Sequence, residues 1–218
     1  MATVLVPLAE GFEDLEAVTI TDLLRRAGIE VTTAGLKPGP VRGSRGTTVI
    51  PDVSLDDVAN RDFDMVALPG GMPGAEHLKN DARVLAILRR HAGGGRFTAA
   101  VCAAPIVLAE AGILAGRRAT SYPGFLDSTI FNGTYCGDPV VRDGKVITSR
   151  GPGTAMDFAL TLIEALAGRE RRDQVEADPA APLAALPAAR ADAPPDVCYP
   201  AAAPGSISTT CWRWRNDR

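Results

Sequence analysis

Cys102 is the residue whose type and position most suggest chemistry. It stands between the apolar run Phe97–Val101, which has the length of a buried strand, and a helix start at Pro105. The small residues Ala103 and Ala104 would relieve the crowding of a tight strand–turn–helix elbow. A thiol there faces the positive end of a helix dipole, which predicts a lowered pKa and a nucleophilic thiolate. From spacing alone, a buried cysteine acting as a small apolar residue explains the pattern equally well.

Consecutive glycines follow another predicted strand, in the segment LPGGMPG at residues 68–74. Gly70 and Gly71 would let backbone N–H groups turn toward a ligand, as an oxyanion hole requires. A tight loop without a binding role is the alternative explanation of the pair.

Glu16 is an acid in an unexpected place. Its neighbours Glu13 and Asp14 fit the first turn of a helix, where acids complement the dipole. At 100° per residue, however, Glu16 lies within the apolar arc of that helix, which consists of Ala17, Ile20, Leu23, Leu24 and Ala27. A carboxylate on a buried face needs a partner or a proton, so Glu16 is predicted to be a functional acid. Leu15 and Val18 point away from the arc, toward solvent or a partner subunit.

The elements that must position these residues alternate between strand and helix. Strands are predicted at residues 3–8, 30–35, 65–69 and 97–101, a short pair within 41–50, and a hairpin around Asp143-Gly144 at 139–149. Helices are predicted at 13–27, 81–91, 105–114 and 154–167. This order predicts an α/β fold with a mostly parallel sheet, helices on both faces and a small antiparallel flap. Sites in such folds lie at the carboxyl ends of the strands.

Composition excludes several classes of protein. The 218 residues are 46% hydrophobic and 22% charged, with a net charge of −3, so a dedicated nucleic-acid surface is not expected. No apolar run is long enough to span a membrane, and the first residues indicate a buried strand rather than a signal peptide. Four scattered cysteines and two histidines favour a reducing cytoplasm and predict no metal or cofactor. His91 lies on an apolar stripe and is interpreted as a core residue, whereas His77 remains a weaker candidate near the site.

The composition changes near residue 178. Residues 179–218 contain 11 alanines and 7 prolines without apolar periodicity. We therefore predict a folded domain at 1–177 and a disordered tail at 178–218, which includes Cys198 and Cys211.

Five segments of the domain resemble the ThiJ/PfpI superfamily, in the branch of the Parkinson's-disease-associated deglycase. They are AEGFEDLE at 9–16, RRAGI at 25–29, LPGG at 68–71, AVCAAP at 100–105 and TSRGPGT at 148–154. The resemblance implies a flavodoxin-like sandwich and a homodimer. It also implies a reactive Cys102, a protonated Glu16 beside it, backbone donors around Gly71 and Ala103, and an anion pocket near Arg45.

The sequence departs from this family at two positions beside the site. Peptidase-like members carry a histidine directly after the nucleophile, where this chain has Ala103, so the local Cys–His pair for acyl transfer is missing. Tyr122 stands where the human relative has a histidine near the site.

The resulting hypothesis is a cofactor-independent enzyme that acts on methylglyoxal, on other small aldehydes, or on early glycation adducts of proteins or nucleotides. Cys102 would add to the aldehyde, and Glu16 would move a proton between adjacent carbons. The first alternative is an oxidative-stress sensor or redox chaperone that acts through oxidation of Cys102. A peptidase- or amidotransferase-type hydrolase is a third, disfavoured by Ala103.

The predicted boundary at residue 177 can be tested by truncation. A chain ending at residue 177 should keep its oligomeric state, solubility and activity, because residues 178–218 offer no apolar pattern that could complete a core. Size-exclusion chromatography and thermal unfolding of the two chains check this. Loss of the oligomer or of solubility in the shorter chain would show that the tail is docked on the domain.

Overall fold

The protein folds around a seven-stranded sheet. In a computed structural model that describes residues 1–126 and 128–177, the strand order is β10-β11-β7-β6-β1-β2-β5. All neighbours are parallel except β10 and β11, which form an antiparallel hairpin. The strands are β1 Thr3–Leu8, β2 Glu30–Gly35, β3 Val41–Arg42, β4 Thr48–Val49, β5 Val53–Ser54, β6 Met65–Leu68, β7 Phe97–Val101, β8 Arg118–Ala119, β9 Thr134–Tyr135, β10 Val140–Asp143 and β11 Val146–Ser149. The fold is thus the α/β, flavodoxin-like sandwich with a mostly parallel sheet that the sequence predicts.

Helices cover both faces of the sheet, because the buried strands are apolar on both sides. They are α1 Asp14–Arg26, α2 Leu55–Val58, α3 Gly74–Asn80, α4 Ala82–Gly93, α5 Pro105–Glu110, α6 Ser128–Phe131, α7 Ala155–Ala167 and α8 Arg169–Ala177, with a 3₁₀ turn at Pro152–Thr154. One core lies between the sheet and α1 and α7, and includes Ile20, Leu24 and Phe158. The other lies between the sheet and α2, α4 and α5, and includes Ile87 and Leu108.

The predicted elements are present, with shifted ends. The predicted helix 105–114 stops at Glu110, because the chain reverses through Gly112 at a φ of 77°. The short pair within 41–50 is the antiparallel β3–β4, and the hairpin turns at Gly144 with a φ of 61°. The sequence analysis missed β5, α2, α3, α6 and the parallel pair β8–β9, which are short, as well as α8, which is strongly polar.

His91 is a core residue, as its position on the apolar stripe of α4 indicates. Its ring is fully buried; Nε2 accepts the backbone N–H of Phe63 at 3.1 Å and Nδ1 donates to the carbonyl of Ile87 at 2.8 Å. Both ring nitrogens are therefore used by the fold.

The last described helix is fixed to the first one. Arg171 of α8 donates from Nε to the carbonyl of Ala27 at 2.9 Å and from Nη2 to the carbonyl of Arg26 at 2.7 Å. These carbonyls belong to the C-terminal end of α1, which needs donors from elsewhere. The predicted tail, residues 178–218, lies outside the described residues. Within the part that is described, no helix is both long and apolar enough to cross a membrane.

Replacing Arg171 should loosen the C-terminal end of the domain. Arg171→Ala removes the two charge-assisted hydrogen bonds to the end of α1, together with an exposed one to Gln174, and is expected to lower the free energy of unfolding by about 2 kcal/mol. Arg169→Ala is the matched control, because its guanidinium is exposed and, within the described residues, makes a single 3.8 Å ion pair with Asp173. Urea unfolding of both variants checks the prediction, and equal effects of the two substitutions would contradict it.

Candidate active site

The carboxyl ends of β6 and β7 bring the predicted site residues together. Gly70 and Gly71 follow β6, Cys102 follows β7, and Glu16 reaches the same point from the first turns of α1. Because β6 and β7 are neighbours in register, Leu68 pairs with Ala100, and the two loops emerge side by side. Cys102 is partly buried, whereas Glu16 is completely buried.

Cys102 occupies a backbone conformation that non-glycine residues rarely adopt. Its φ is 63°, in the left-handed region, which costs about 1–3 kcal/mol for a residue with a side chain. The peptide groups on both sides hold this conformation: the Cys102 N–H donates to the carbonyl of Ser149 at 3.0 Å, and its carbonyl accepts the N–H of Tyr122 at 2.8 Å. The predicted elbow is therefore present, and it directs the thiol into the cleft beside Gly70.

Gly70 allows the close approach of the carboxyl and the thiol. Its N–H donates to Oε2 of Glu16 at 2.8 Å. A Cβ at this position would lie 2.6 Å from the Cβ of Cys102 and 2.9 Å from Oε2 of Glu16. Any side chain here would separate the two groups. Gly70 is thus a partner of Glu16 and not a free oxyanion donor, which corrects that part of the sequence prediction.

The backbone donors that face the sulfur are those of Gly71 and Ala103. Both N–H groups stabilise the thiolate and lower the pKa of the Cys102 thiol. Gly71 has a φ of 90°, and a Cβ there would clash with the backbone of residues 11–13. Two of the three predicted donors, Gly71 and Ala103, are therefore aimed at the position where negative charge would develop.

Glu16 and Cys102 share protons. Burial raises the pKa of the Glu16 carboxyl to about 7, although the Gly70 N–H and the Cys102 thiol lower it. Burial, together with the charge on Glu16, raises the pKa of the Cys102 thiol to about 12. The direction of this shift is opposite to the lowering that the helix dipole alone would produce. Because the two groups interact, loss of the proton from one opposes loss of the proton from the other, and they titrate as a coupled pair.

The position of the shared proton follows from the hydrogen bonds. Oε1 of Glu16 is buried and has no partner in hydrogen-bonding geometry within the described residues. A buried charged oxygen without a partner is costly, so the Glu16 carboxyl is the member of the pair that burial favours in its protonated form. Sulfur in turn has the N–H groups of Gly71 and Ala103 to stabilise its charge. We infer that the reactive form is carboxylic acid with thiolate, which differs from carboxylate with thiol by the transfer of one proton.

Gly151 and Tyr122 form a wall of the site. The resemblance had placed Tyr122 near the site, whereas Gly151 was not assigned from the sequence. A Cβ at Gly151 would lie 3.9 Å from Sγ of Cys102 and 3.2 Å from the ring of Tyr122. The loop is held by Thr154, whose Oγ1 accepts the Gly151 N–H at 3.1 Å and lies 2.7 Å from Oγ of Ser149. The glycine-rich segment at 151–153 is the signal that could have identified it.

Neither of the two weaker candidates makes a hydrogen bond or an ion pair with Cys102 or Glu16 within the described residues. Arg45 has a mostly exposed side chain, and its Nε lies 3.9 Å from Oε2 of Glu13. His77 is exposed on α3, and its Nδ1 lies 3.1 Å from the carbonyl of Glu10. Within residues 1–126 and 128–177, no group of three or more His, Cys, Asp or Glu side chains is arranged to hold a metal ion.

Comparison with known proteins agrees with this geometry. Residues 2–165 match the model of the DJ-1/PfpI family. The protein dj-1beta of Drosophila melanogaster is 47% identical over 173 residues, which are 78% of this chain and 92% of that protein. The glutathione-independent glyoxalase DJR-1.2 of Caenorhabditis elegans is 37% identical over 174 residues, 80% of this chain and 92% of that protein.

Solved structures show the same similarity. The crystal structure of Drosophila melanogaster DJ-1beta superposes with a TM-score of 0.77 at 45% identity, over 81% of this chain and 96% of that chain. The structure of oxidized Toxoplasma gondii DJ-1 gives a TM-score of 0.77 at 40% identity, over 82% and 97% of the two chains.

The raised pKa of Glu16 makes the stability of the fold depend on pH. Its carboxyl titrates near 4.5 when unfolded and near 7 when folded. Between these values the folded state keeps a proton that the unfolded state releases, so stability falls as pH rises. We expect wild type to lose up to about 3 kcal/mol relative to Glu16→Gln from pH 4.5 to pH 7. Urea unfolding of both proteins across this range checks the difference, and a difference that does not change with pH would contradict the assignment.

Proposed function

This chain belongs to the DJ-1/PfpI family, and from that premise we propose that it is a cofactor-independent cysteine enzyme that converts methylglyoxal and related small aldehydes to hydroxy acids. The observation that carries the proposal is the placement of the buried Glu16 carboxyl and the partly buried Cys102 thiol against Gly70, with the N–H groups of Gly71 and Ala103 beside the sulfur. The glyoxalase name of the relative from Caenorhabditis elegans supports the same reaction.

The reaction would begin with addition of the Cys102 thiolate to the aldehyde carbon. The C–S bond forms while the carbonyl electron pair moves to oxygen, and the N–H groups of Gly71 and Ala103 lie beside the sulfur to bind the developing charge. Glu16 gives its proton to this oxygen, which produces a neutral hemithioacetal. The acid thereby becomes a carboxylate, which is the base that the next step requires.

The proton then moves between the two carbons. The Glu16 carboxylate removes the proton from the sulfur-bearing carbon, giving an enediolate, and returns it to the neighbouring carbon. The hydroxyl proton on the first carbon passes to the oxygen on the second, so that the first carbon becomes the thioester carbonyl. The product is a thioester of lactate with Cys102. Water hydrolyses the thioester to lactate and restores the thiol, so that methylglyoxal plus water gives lactic acid with no electron donor or acceptor.

Early glycation adducts present the same functional groups. A hemithioacetal or aminocarbinol of methylglyoxal contains a masked aldehyde next to a ketone. Attack by the thiolate on that carbon would break its bond to the sulfur or nitrogen of the protein or nucleotide, which leaves with the proton of Glu16. The hemithioacetal formed on Cys102 would then enter the same sequence of proton transfers. Deglycation therefore forms part of the proposal, with the same two residues in the same roles.

A redox role is the second candidate, and the orphaned Oε1 of Glu16 favours it. A protonated Glu16 carboxyl, which interacts with the side chain of Cys102, could donate to an oxygen of a sulfinate as readily as to a thiolate. One of the similar structures is an oxidized DJ-1 from Toxoplasma gondii. Peroxide titration followed by intact mass separates the two roles: a sensor forms sulfinate stoichiometrically, whereas an enzyme turns over aldehyde with its thiol intact.

We also propose that the protein is a homodimer. Leu15 and Val18 on α1 are each 50% exposed although they are large and apolar, and they flank the buried Glu16. A second copy packing on this face would cover them and would fix the helix that carries the catalytic acid.

The enzyme hypothesis is tested by replacing, one at a time, the two cysteines that the described residues contain. Cys102→Ala should lower lactate formation from methylglyoxal by at least about 1,000-fold, because no nucleophile remains. Cys136→Ala is the matched control: this thiol is also partly buried, but its Sγ lies 3.7 Å from the carbonyl of Thr134 rather than at the glycine loop. Circular dichroism verifies that both variants fold.

Glu16→Gln should lower turnover by at least about 100-fold, because an amide cannot relay a proton. Iodoacetamide should still alkylate Cys102 in this variant, which shows that the thiol remains accessible. Lactate formation at the wild-type rate in either site variant would refute the proposed mechanism.

A further inference from the structure

A hollow lined by cations lies at the amino ends of the strands, whereas Cys102 follows the carboxyl end of β7. It has a volume of about 320 Å³ and is lined by the amino ends of β7 and β11, the end of α4 and the chain that follows α5. Thr98, near the start of β7, contributes to its floor. Thr98 and Cys102 are four positions apart along an extended strand, which corresponds to a distance of about 13 Å. The hollow is therefore distinct from the candidate active site.

The lining of the hollow is positively charged, although the chain as a whole has a negative net charge. Arg89, Arg96, Arg117 and Lys145 all border the hollow, and none of its lining residues is Asp or Glu. The complete chain carries a net charge of −3. Four cations around one concave surface repel one another, and a bound anion would relieve this repulsion.

Two of these cations lack a carboxylate partner within the described residues. Arg89 donates from Nε and Nη2 to the carbonyls of Ala111 and Glu110 at 3.3 and 3.2 Å, and its Nη1 makes no hydrogen bond there. Lys145 places Nζ 3.9 Å from the centre of the Phe97 ring. Both contacts position the side chain and leave its positive charge uncompensated.

The other two cations are anchored from outside the hollow. Arg96 pairs with Asp62 at 2.6 Å, and Arg117 donates to the carbonyl and carboxylate of Asp143 at 3.3 and 3.4 Å. In Arg117 the Nη2 group makes no hydrogen bond to the described protein. A guanidinium held on one side with a free amino group on the other is already oriented to bind an oxyanion.

A neighbouring hollow of about 470 Å³ shares Arg96 and Lys145 but includes Asp64 in its lining. The carboxylate of Asp64 opposes an anion there. The cation-lined hollow without a carboxylate is therefore the favoured site.

We propose that this hollow binds a small polyanion, of the class of organic phosphates and diphosphates. Arginine forks match the geometry of phosphate oxygens, and lysine adds a point charge. The volume lies at the lower end of the range for small-ligand sites. A nucleic-acid strand is disfavoured, because the cations border one concavity on an acidic chain instead of following an extended face.

Titration calorimetry of the full chain with inorganic pyrophosphate at low ionic strength near pH 7 tests the proposal. We expect saturable binding of one pyrophosphate per chain. Combining Arg89→Gln with Lys145→Gln should weaken it by at least about tenfold, because two charge-assisted contacts are lost. Lys145→Gln alone should weaken it several-fold, and the Lys145 ammonium makes no hydrogen bond to the protein within residues 1–126 and 128–177.

Lys37→Gln is the matched control. It removes the same charge from an exposed lysine just beyond the carboxyl end of β2, whereas the hollow lies at the amino ends of β7 and β11. This substitution should leave pyrophosphate binding unchanged. Absence of saturable binding, or equal weakening by Lys37→Gln, would overturn the proposal. Tighter binding of a short single-stranded oligonucleotide than of pyrophosphate would overturn it in favour of a nucleic-acid surface. The assay does not use aldehyde turnover, so its outcome is independent of the proposed enzymatic function.

Discussion

The desolvated carboxyl of Glu16 is the constraint on which the site depends. An apolar helix face carries it into the interior, where ionisation is costly, and the fold supplies one strong donor, the N–H of Gly70, to only one of its two oxygens. The second oxygen, Oε1, is buried and has no hydrogen-bond partner within the described residues. Because a full complement of donors would keep the carboxylate ionised, this incomplete solvation is what lets Glu16 hold a proton near neutral pH. A buried acid with unsatisfied hydrogen bonding reduces stability, and here it is retained at the point where chemistry is proposed.

The surrounding geometry follows from the need to place this carboxyl against a thiol. Two backbones and two side chains meet where β6 and β7 end, so the position between them has no room for a Cβ, and Gly70 occupies it. Cys102 accepts a left-handed conformation because its N–H and carbonyl are bonded to Ser149 and Tyr122, which belong to separate segments. The strain at the thiol is therefore supported by long-range contacts, and the site forms only when the sheet and its flanking loops are assembled.

Sequence patterns revealed the parts of this arrangement that are local. The exceptional acid on the apolar arc identified Glu16, and the small residues after Cys102 identified the elbow, because both signals depend on residues within one or two turns. Other parts depend on contacts between segments far apart in the chain, which no periodicity encodes. These are the hydrogen bond from the Gly70 N–H to Glu16, the pKa of the thiol and the position of Gly151 beside the sulfur. The same limit applies to the cation-lined hollow: its four basic residues come from three separate stretches, and only the fold shows that they border one surface.

The absence of a histidine after Cys102 agrees with the chemistry of a shared proton. Hydrolysis of an amide requires a base that takes the thiol proton and delivers it to a leaving amine, a task for which imidazole is suited and Ala103 is not. Addition to an aldehyde has no leaving group. It needs one proton for the carbonyl oxygen and then a base for the adjacent C–H, and a carboxylic acid paired with a thiolate provides both in that order, since the acid becomes the base by giving up its proton. The Glu16–Cys102 pair thus fits the proposed isomerisation of an α-oxoaldehyde better than it fits peptide cleavage, and Ala103, which departs from the peptidase-like pattern, supports the same proposal.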